Sequence, residues 1–90
     1  MDLDMKTFNY YMDPGHGWIA VEQNDLVALG IAEKITAYSY RKGVIAYLEE
    51  DCDAAIFVRA FEDRYGRKPA IIPIQENRTS KIRNYRSYWC

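Results

Sequence analysis

Ninety residues with a net charge of −1 make one domain's worth of chain, and a second core is excluded on size. Apolar residues at 49% and charged residues at 28% are the proportions of a globular protein, and 14% aromatics, with eight tyrosines, argue against disorder. No apolar run approaches the ~20 residues of a membrane span, and Met1-Asp2-Leu3-Asp4-Met5-Lys6 lacks the apolar stretch of a signal peptide.

Residues 6–12, Lys-Thr-Phe-Asn-Tyr-Tyr-Met, are rich in strand formers. Asp13-Pro14-Gly15-His16-Gly17 follows, with Pro suited to the second position of a turn and Gly to the third. Trp18 to Glu22 then reads as a second strand, which predicts a β-hairpin with a five-residue loop. Asn24 or Asp25 can cap a short helix, Leu26-Val27-Ala28-Leu29, which Gly30 ends. Such a helix is too short to stand alone and must pack on a sheet.

Ile35–Tyr40 and Val44–Leu48 read as two further strands joined by Arg41-Lys42-Gly43. Alternation places Tyr38 and Tyr40 on one face of the first and sets Ile45 and Tyr47 against Val44, Ala46 and Leu48 on the second. One face is thus bulky and aromatic, and the other is small enough to lie under a helix. The clearest helix comes next. Asp51 can cap it, Asp53 suits its positive end, and Ile56, Phe57, Ala60, Phe61 and Tyr65 recur at three- and four-residue spacing until Gly66 and Pro69 end it. Ala70-Ile71-Ile72-Pro73-Ile74 contains a proline and is expected at a sheet edge or a bulge. Residues 77–90 form a last strand or an extended basic-aromatic arm.

The order β-β-α-β-β-α-β predicts a single α+β domain over residues 1–90. Its antiparallel sheet has about four to six strands, with one main and one short helix packed on it. Charge is unevenly spread. Residues 1–63 hold 12 acids and 5 bases, and residues 64–90 hold 1 acid and 7 bases. Either the two parts meet different partners, or they lie together in the fold and neutralise each other. Two cysteines, Cys52 and Cys90, make no disulfide framework and read as reduced thiols. Cys52 sits at a helix start, where a thiol pKa can fall, although a space-filling role is the simpler reading.

Asp13-Pro14-Gly15-His16-Gly17-Trp18, Leu29-Gly30-Ile31, Ile35-Thr36-Ala37-Tyr38-Ser39-Tyr40, Tyr47-Leu48-Glu49-Glu50-Asp51-Cys52-Asp53-Ala54 and Ser80-Lys81-Ile82-Arg83-Asn84-Tyr85 form a set of strings that spans most of the chain. With them the sequence resembles a family of small uncharacterised proteins encoded by bacteriophages and plasmids. The resemblance implies a mobile element, a bacterial host cytoplasm and an accessory role. Small proteins in that setting often bind and redirect a host enzyme or defence complex, a fold-independent association rather than a chemical argument.

No residue set forms a recognisable catalytic arrangement. His16 is the only histidine, and none of Ser39, Ser80 and Ser87 lies in a nucleophile elbow. The expected protein is therefore non-enzymatic and needs no cofactor. It binds a host or phage protein through the aromatic hairpin tip and the acidic loop, with His16, Trp18, Tyr38, Tyr40, Glu49 and Glu50 as contacts, or through the basic tail. The alternative is nucleic-acid binding by the tail, where Arg78, Lys81, Arg83 and Arg86 interleave with Tyr85 and Tyr88. A third reading is a structural domain with a divalent ion at Glu49, Glu50, Asp51 and Asp53. Helix capping and a solvated acidic edge are the simpler account of that cluster. A set of His16, Cys52, Cys90 and one carboxylate has legal ligand types but no zinc-module spacing. Tyrosine-rich sheet faces can also bury a homodimer interface.

Overall fold

The helical repeat ending at Tyr65 builds the core. In the computed structural model, which describes residues 3–89, helix α2 spans Asp53–Tyr65. Phe57 and Phe61 point from it into the sheet and are fully buried. Their rings meet Phe8 edge-on, with centroids 4.9 and 6.0 Å away, the geometry aromatic quadrupoles favour. The helix ends where Gly66 adopts φ +75° and its N–H caps the Glu62 carbonyl, a left-handed position that costs glycine nothing.

Six strands form one sheet: β1 (Thr7–Met12), β2 (Gly17–Glu22), β3 (Tyr40–Lys42), β4 (Ile45–Glu49), β5 (Ala70–Gln75) and β6 (Arg86–Ser87), in the order β5-β1-β2-β4-β3-β6. Helix α1, Gln23–Ala28, follows β2 directly, and 3-10 turns occupy Leu3–Met5, Ala32–Lys34 and Lys81–Asn84. Alternation decides the two faces. Phe8, Ile19, Val21, Ala46 and Leu48 are buried on the helix side with Leu26, Ile31, Ile35 and Tyr88. Tyr11, Trp18, Ala20, Tyr40, Ile45 and Tyr47 belong to the opposite face.

The fold is α+β as the sequence predicts, but the sheet is mixed. β5 runs parallel to β1, in register from Thr7 opposite Ala70 to Met12 opposite Gln75. The cause is the connection. β4 points the same way as β1, and the chain returns through α2, so β4-α2-β5 is a helical crossover that lands its second strand parallel. Pro73 sits in β5 at the sheet edge, where its missing N–H leaves no ladder partner unpaired.

The predicted strand Ile35–Tyr40 shrinks to Tyr40–Lys42. The loss follows from Asp53, whose buried Oδ2 accepts from the Thr36 N–H at 3.0 Å, from Thr36 Oγ1 at 2.8 Å and from Ser39 Oγ. Side-chain bonds of this kind offer the backbone an alternative to a ladder. Asp53 is therefore a buried tie between helix and loop rather than a solvated charge at the helix end. The helix begins with Cys52 at the capping position, without a side-chain cap, and not with Asp51. The β3–β4 turn is two residues long, Gly43-Val44, because Lys42 already pairs with Ile45. Helix α1 starts earlier than its apolar pattern suggests, after Glu22, and Asp25 turns inward to meet Lys6 at 2.8 Å.

Acidic and basic parts do lie together: Arg67 meets Asp4 at 2.8 Å and Arg83 meets Asp13 at 2.7 Å. The tail completes the sheet as β6, and Tyr88 inserts into the core with its hydroxyl donating to the Ala32 carbonyl and accepting from Gln23 Nε2. No helix among the described residues is long and apolar enough to cross a membrane. Cys90 lies outside the described residues. Phe57→Ala should cost about 3–5 kcal/mol, a large share of the roughly 5–15 kcal/mol available to a small domain. Urea unfolding should show this as a large fall in the midpoint, whereas truncating exposed Val44 at the turn tip should leave it nearly unchanged.

Candidate partner-binding pocket

Asp13 builds the site. Its Oδ1 accepts from the Gly15 and His16 N–H groups, both at 2.9 Å, which closes the β1–β2 loop as an Asx-type turn. Its Oδ2 accepts from the Ser80 N–H at 2.8 Å. Arg83 grips both oxygens, Nε at 2.7 Å and Nη2 at 2.9 Å, in the bidentate geometry that suits guanidinium and carboxylate. The Arg83 guanidinium holds the Asp13 carboxyl far below the usual range, helped by the Ser80 N–H, opposed by burial, and helped again by the His16 and Gly15 N–H groups. Arg83 in turn lies over the Trp18 ring at 5.6 Å.

The loop so fixed presents a pocket of about 360 Å³ lined by His16, Trp18, Tyr38, Tyr40, Glu49, Asp51, Cys52 and Arg83. Five of the six predicted contact residues meet there, from three separate segments. Glu50, the sixth, borders the loop and accepts from the Tyr10 hydroxyl at 2.6 Å. The walls are aromatic: Trp18 stands 6.1 Å from His16 and 6.3 Å from Tyr40. The rim is acidic. His16 Nδ1 lies 3.7 Å from Glu49 Oε1, and Asp51 is exposed beside it.

Trp18 is a wall rather than a free contact. It is only 2% exposed, and its indole N–H has no hydrogen-bond partner among the described residues. Buried donors are rarely left open in native folds, because each costs desolvation. Tyr38, 72% exposed, is the ring available to a partner.

The acidic run divides as the fold dictates. Asp53 turns into the core, Glu49 faces His16, and Glu50 is held by Tyr10. His16, Glu50 and Asp51 each bring a ligand-capable atom within 4.8 Å of the others, so of the four expected carboxylates Glu49 and Asp53 drop out and a histidine joins the remaining two. Cys52 is exposed, not space-filling, and partial desolvation with the Glu49, Asp53 and Asp51 carboxylates pushes its thiol up, opposite to activation.

The predicted nucleic-acid set is dispersed. Arg83 is committed to Asp13, and Tyr88 is buried. Arg78 and Lys81 are exposed on the segment after β5. Tyr85 and Arg86 line a different pocket, with Arg41 and Lys42. Sequence reasoning missed Asp13 and Tyr10 at the site, and it read Asp51 as a helix cap or metal ligand rather than a pocket residue. For Asp13 the signal was present, since an Asp opening a Pro-Gly loop is a frequent Asx-turn residue. No family model, no curated protein and no solved structure matches the chain.

Two outcomes follow from the titrating groups. The depressed Asp13 carboxyl stabilises the fold fully above its ordinary value near 3.8, and that stability is lost as pH falls below it. Melting temperature should thus drop steeply below about pH 4, and Asp13→Asn should start lower at neutral pH and fall less. Tyr10 is pushed up to about 12, by burial first and the Glu50 hydrogen bond second. Ultraviolet titration should show one ring ionising late, and Glu50→Gln should bring that step down. Gly17→Ala should do the same, since a Cβ there would stand 2.5 Å from the Tyr10 hydroxyl and displace it.

Proposed function

We propose that this chain is a non-enzymatic binding protein that docks a basic segment of another protein into the pocket of His16, Tyr38, Tyr40, Glu49 and Asp51. The observation that carries the reading is the convergence of aromatic walls and an acidic rim on one preformed hollow. Aromatic faces and carboxylates together suit a lysine or arginine side chain. A guanidinium over an aromatic ring already occurs in its wall, where Arg83 lies 5.6 Å over Trp18. A preformed surface blocks a partner sterically and needs no cofactor, and little ordering entropy opposes binding.

The resemblance to phage- and plasmid-encoded proteins suggests the setting: a bacterial cytoplasm, with a host enzyme or defence complex as the target. A tagged pull-down from bacterial lysate, with and without nuclease, tests the reading. One dominant protein should survive nuclease and be lost on Tyr38→Ala and on Asp51→Lys, both exposed positions that leave the core intact. Capture that ignores both substitutions, or that vanishes with nuclease, removes the pocket as the contact site.

A further inference from the structure

The β1–β2 loop and the loop from β4 to α2 bring three metal-ligating side chains to one point. His16 comes from the first loop, Glu50 and Asp51 from the second, and one ligand atom of each lies within 4.8 Å of the others. Bonds of about 2.0–2.2 Å to a tetrahedral dication set its ligand atoms roughly 3.5 Å apart. His16 and Asp51 are exposed and Glu50 is half-buried, so small side-chain rotations close the set.

Groups outside the set hold it in place. The His16 N–H is fixed on the Asp13 carboxylate at 2.9 Å. The Glu50 N–H donates to the Gly17 carbonyl at 3.0 Å, which ties the two loops together beside the imidazole. The Tyr10 hydroxyl, from β1, donates to Glu50 Oε2 at 2.6 Å, and no described donor takes Oε1. Glu49 Oε1 stands 3.7 Å from His16 Nδ1. A carboxylate on one side of the ring is the common outer partner of a metal-bound histidine, which ligates through its other nitrogen.

Two further observations point to an ion and to what it carries. Glu49, Glu50 and Asp51 are consecutive carboxylates, while the ion pairs of Lys6, Arg67 and Arg83 go to other acids. Like charges this close repel, and a dication between them reverses the sign. In the wall of the same pocket, Trp18 is 2% exposed and its indole N–H has no partner among the described residues. An ion with three protein ligands keeps a position for water or an anion. An oxygen held there supplies the acceptor that a buried donor otherwise lacks at a cost.

We propose that His16, Glu50 and Asp51 form a binding site for a zinc-class dication, with Glu49 and Tyr10 as its outer partners. One imidazole with two carboxylates suits zinc better than magnesium or calcium, which prefer oxygen alone. The ion clamps the two loops that wall the pocket. It also neutralises Asp51, so the ion and a basic segment exclude each other at the shared rim. That exclusion rests on the docking reading, whereas the ion site stands without it.

Isothermal titration of purified full-length protein with zinc chloride is the test, run with no partner present so that its failure and that of the docking reading are separate results. One ion per chain should bind, and the melting temperature should rise with zinc concentration. His16→Ala, Glu50→Gln and Asp51→Asn should each weaken affinity about tenfold or more. All three should melt with the wild type in chelator, and Glu50→Gln keeps an acceptor for Tyr10. Tyr38→Ala, which removes partner capture, and Cys52→Ser/Cys90→Ser should bind zinc as the wild type does. Absence of zinc binding, or unchanged affinity in the three ligand variants, would overturn the proposal. So would loss of binding in the serine variant, which marks a thiolate site, or displacement of zinc by magnesium at equal concentration, which marks a diffuse acidic edge.

Discussion

The bond between Asp13 and Arg83 organises this molecule. Five donors converge on one buried carboxylate: two from its own loop, one from Ser80 and two from the Arg83 fork. An acid removed from water this completely is unfavourable unless its lone pairs are filled. Here they are filled by groups from both ends of the chain. The loop between β1 and β2 and the segment leading to β6 therefore order each other. The tie acts together with buried Ile82 and Tyr88 and the β6–β3 pairing to carry the segment after β5 to the opposite sheet edge.

That crossing decides what the second sheet face offers. The helix side is closed by α2, with Phe57 and Phe61 against Phe8. The other side is covered only in part, by Arg83 over Trp18 and Tyr85 beside Tyr47. On one flank of this cover lies the acidic pocket of Glu49 and Asp51, and on the other the basic edge of Arg41, Lys42 and Arg86. A net charge of −1 conceals this separation. The C-terminal segment lines both, through Arg83 in the first and Tyr85 and Arg86 in the second.

Asp53 plays a parallel part in the interior. Its carboxylate draws Thr36 and Ser39 toward the first turn of α2, and Ser39 Oγ also accepts from the Glu49 N–H at 3.0 Å. Helix, loop and β4 thus share one small polar network under the pocket. All three donors from Thr36 and Ser39 share Asp53 Oδ2, while Oδ1 has no partner among the described residues, and the position of Tyr38 and Tyr40 depends on a residue that never reaches the surface.

Sequence alone determined the elements whose signals are local. The period of Ile56, Phe57, Ala60 and Phe61, the Asp-Pro-Gly loop, the alternation of Ala46 and Leu48 against Ile45 and Tyr47, and the edge position of Pro73 all follow from side-chain geometry within a few residues. It also brought His16, Tyr38, Tyr40 and Glu49 forward as surface candidates, and the pocket unites them. Tertiary structure alone decided the parallel pairing of β5 with β1, the inward turn of Asp53, the burial of Trp18 and Tyr88, and the capture of Arg83 by Asp13. Each of these joins residues distant in sequence, and period and propensity carry no information about a partner dozens of residues away. A basic-aromatic tail reads the same whether its arginines meet a phosphate or a carboxylate. Only the approach of Asp13 across the sheet sends Arg83 to the carboxylate.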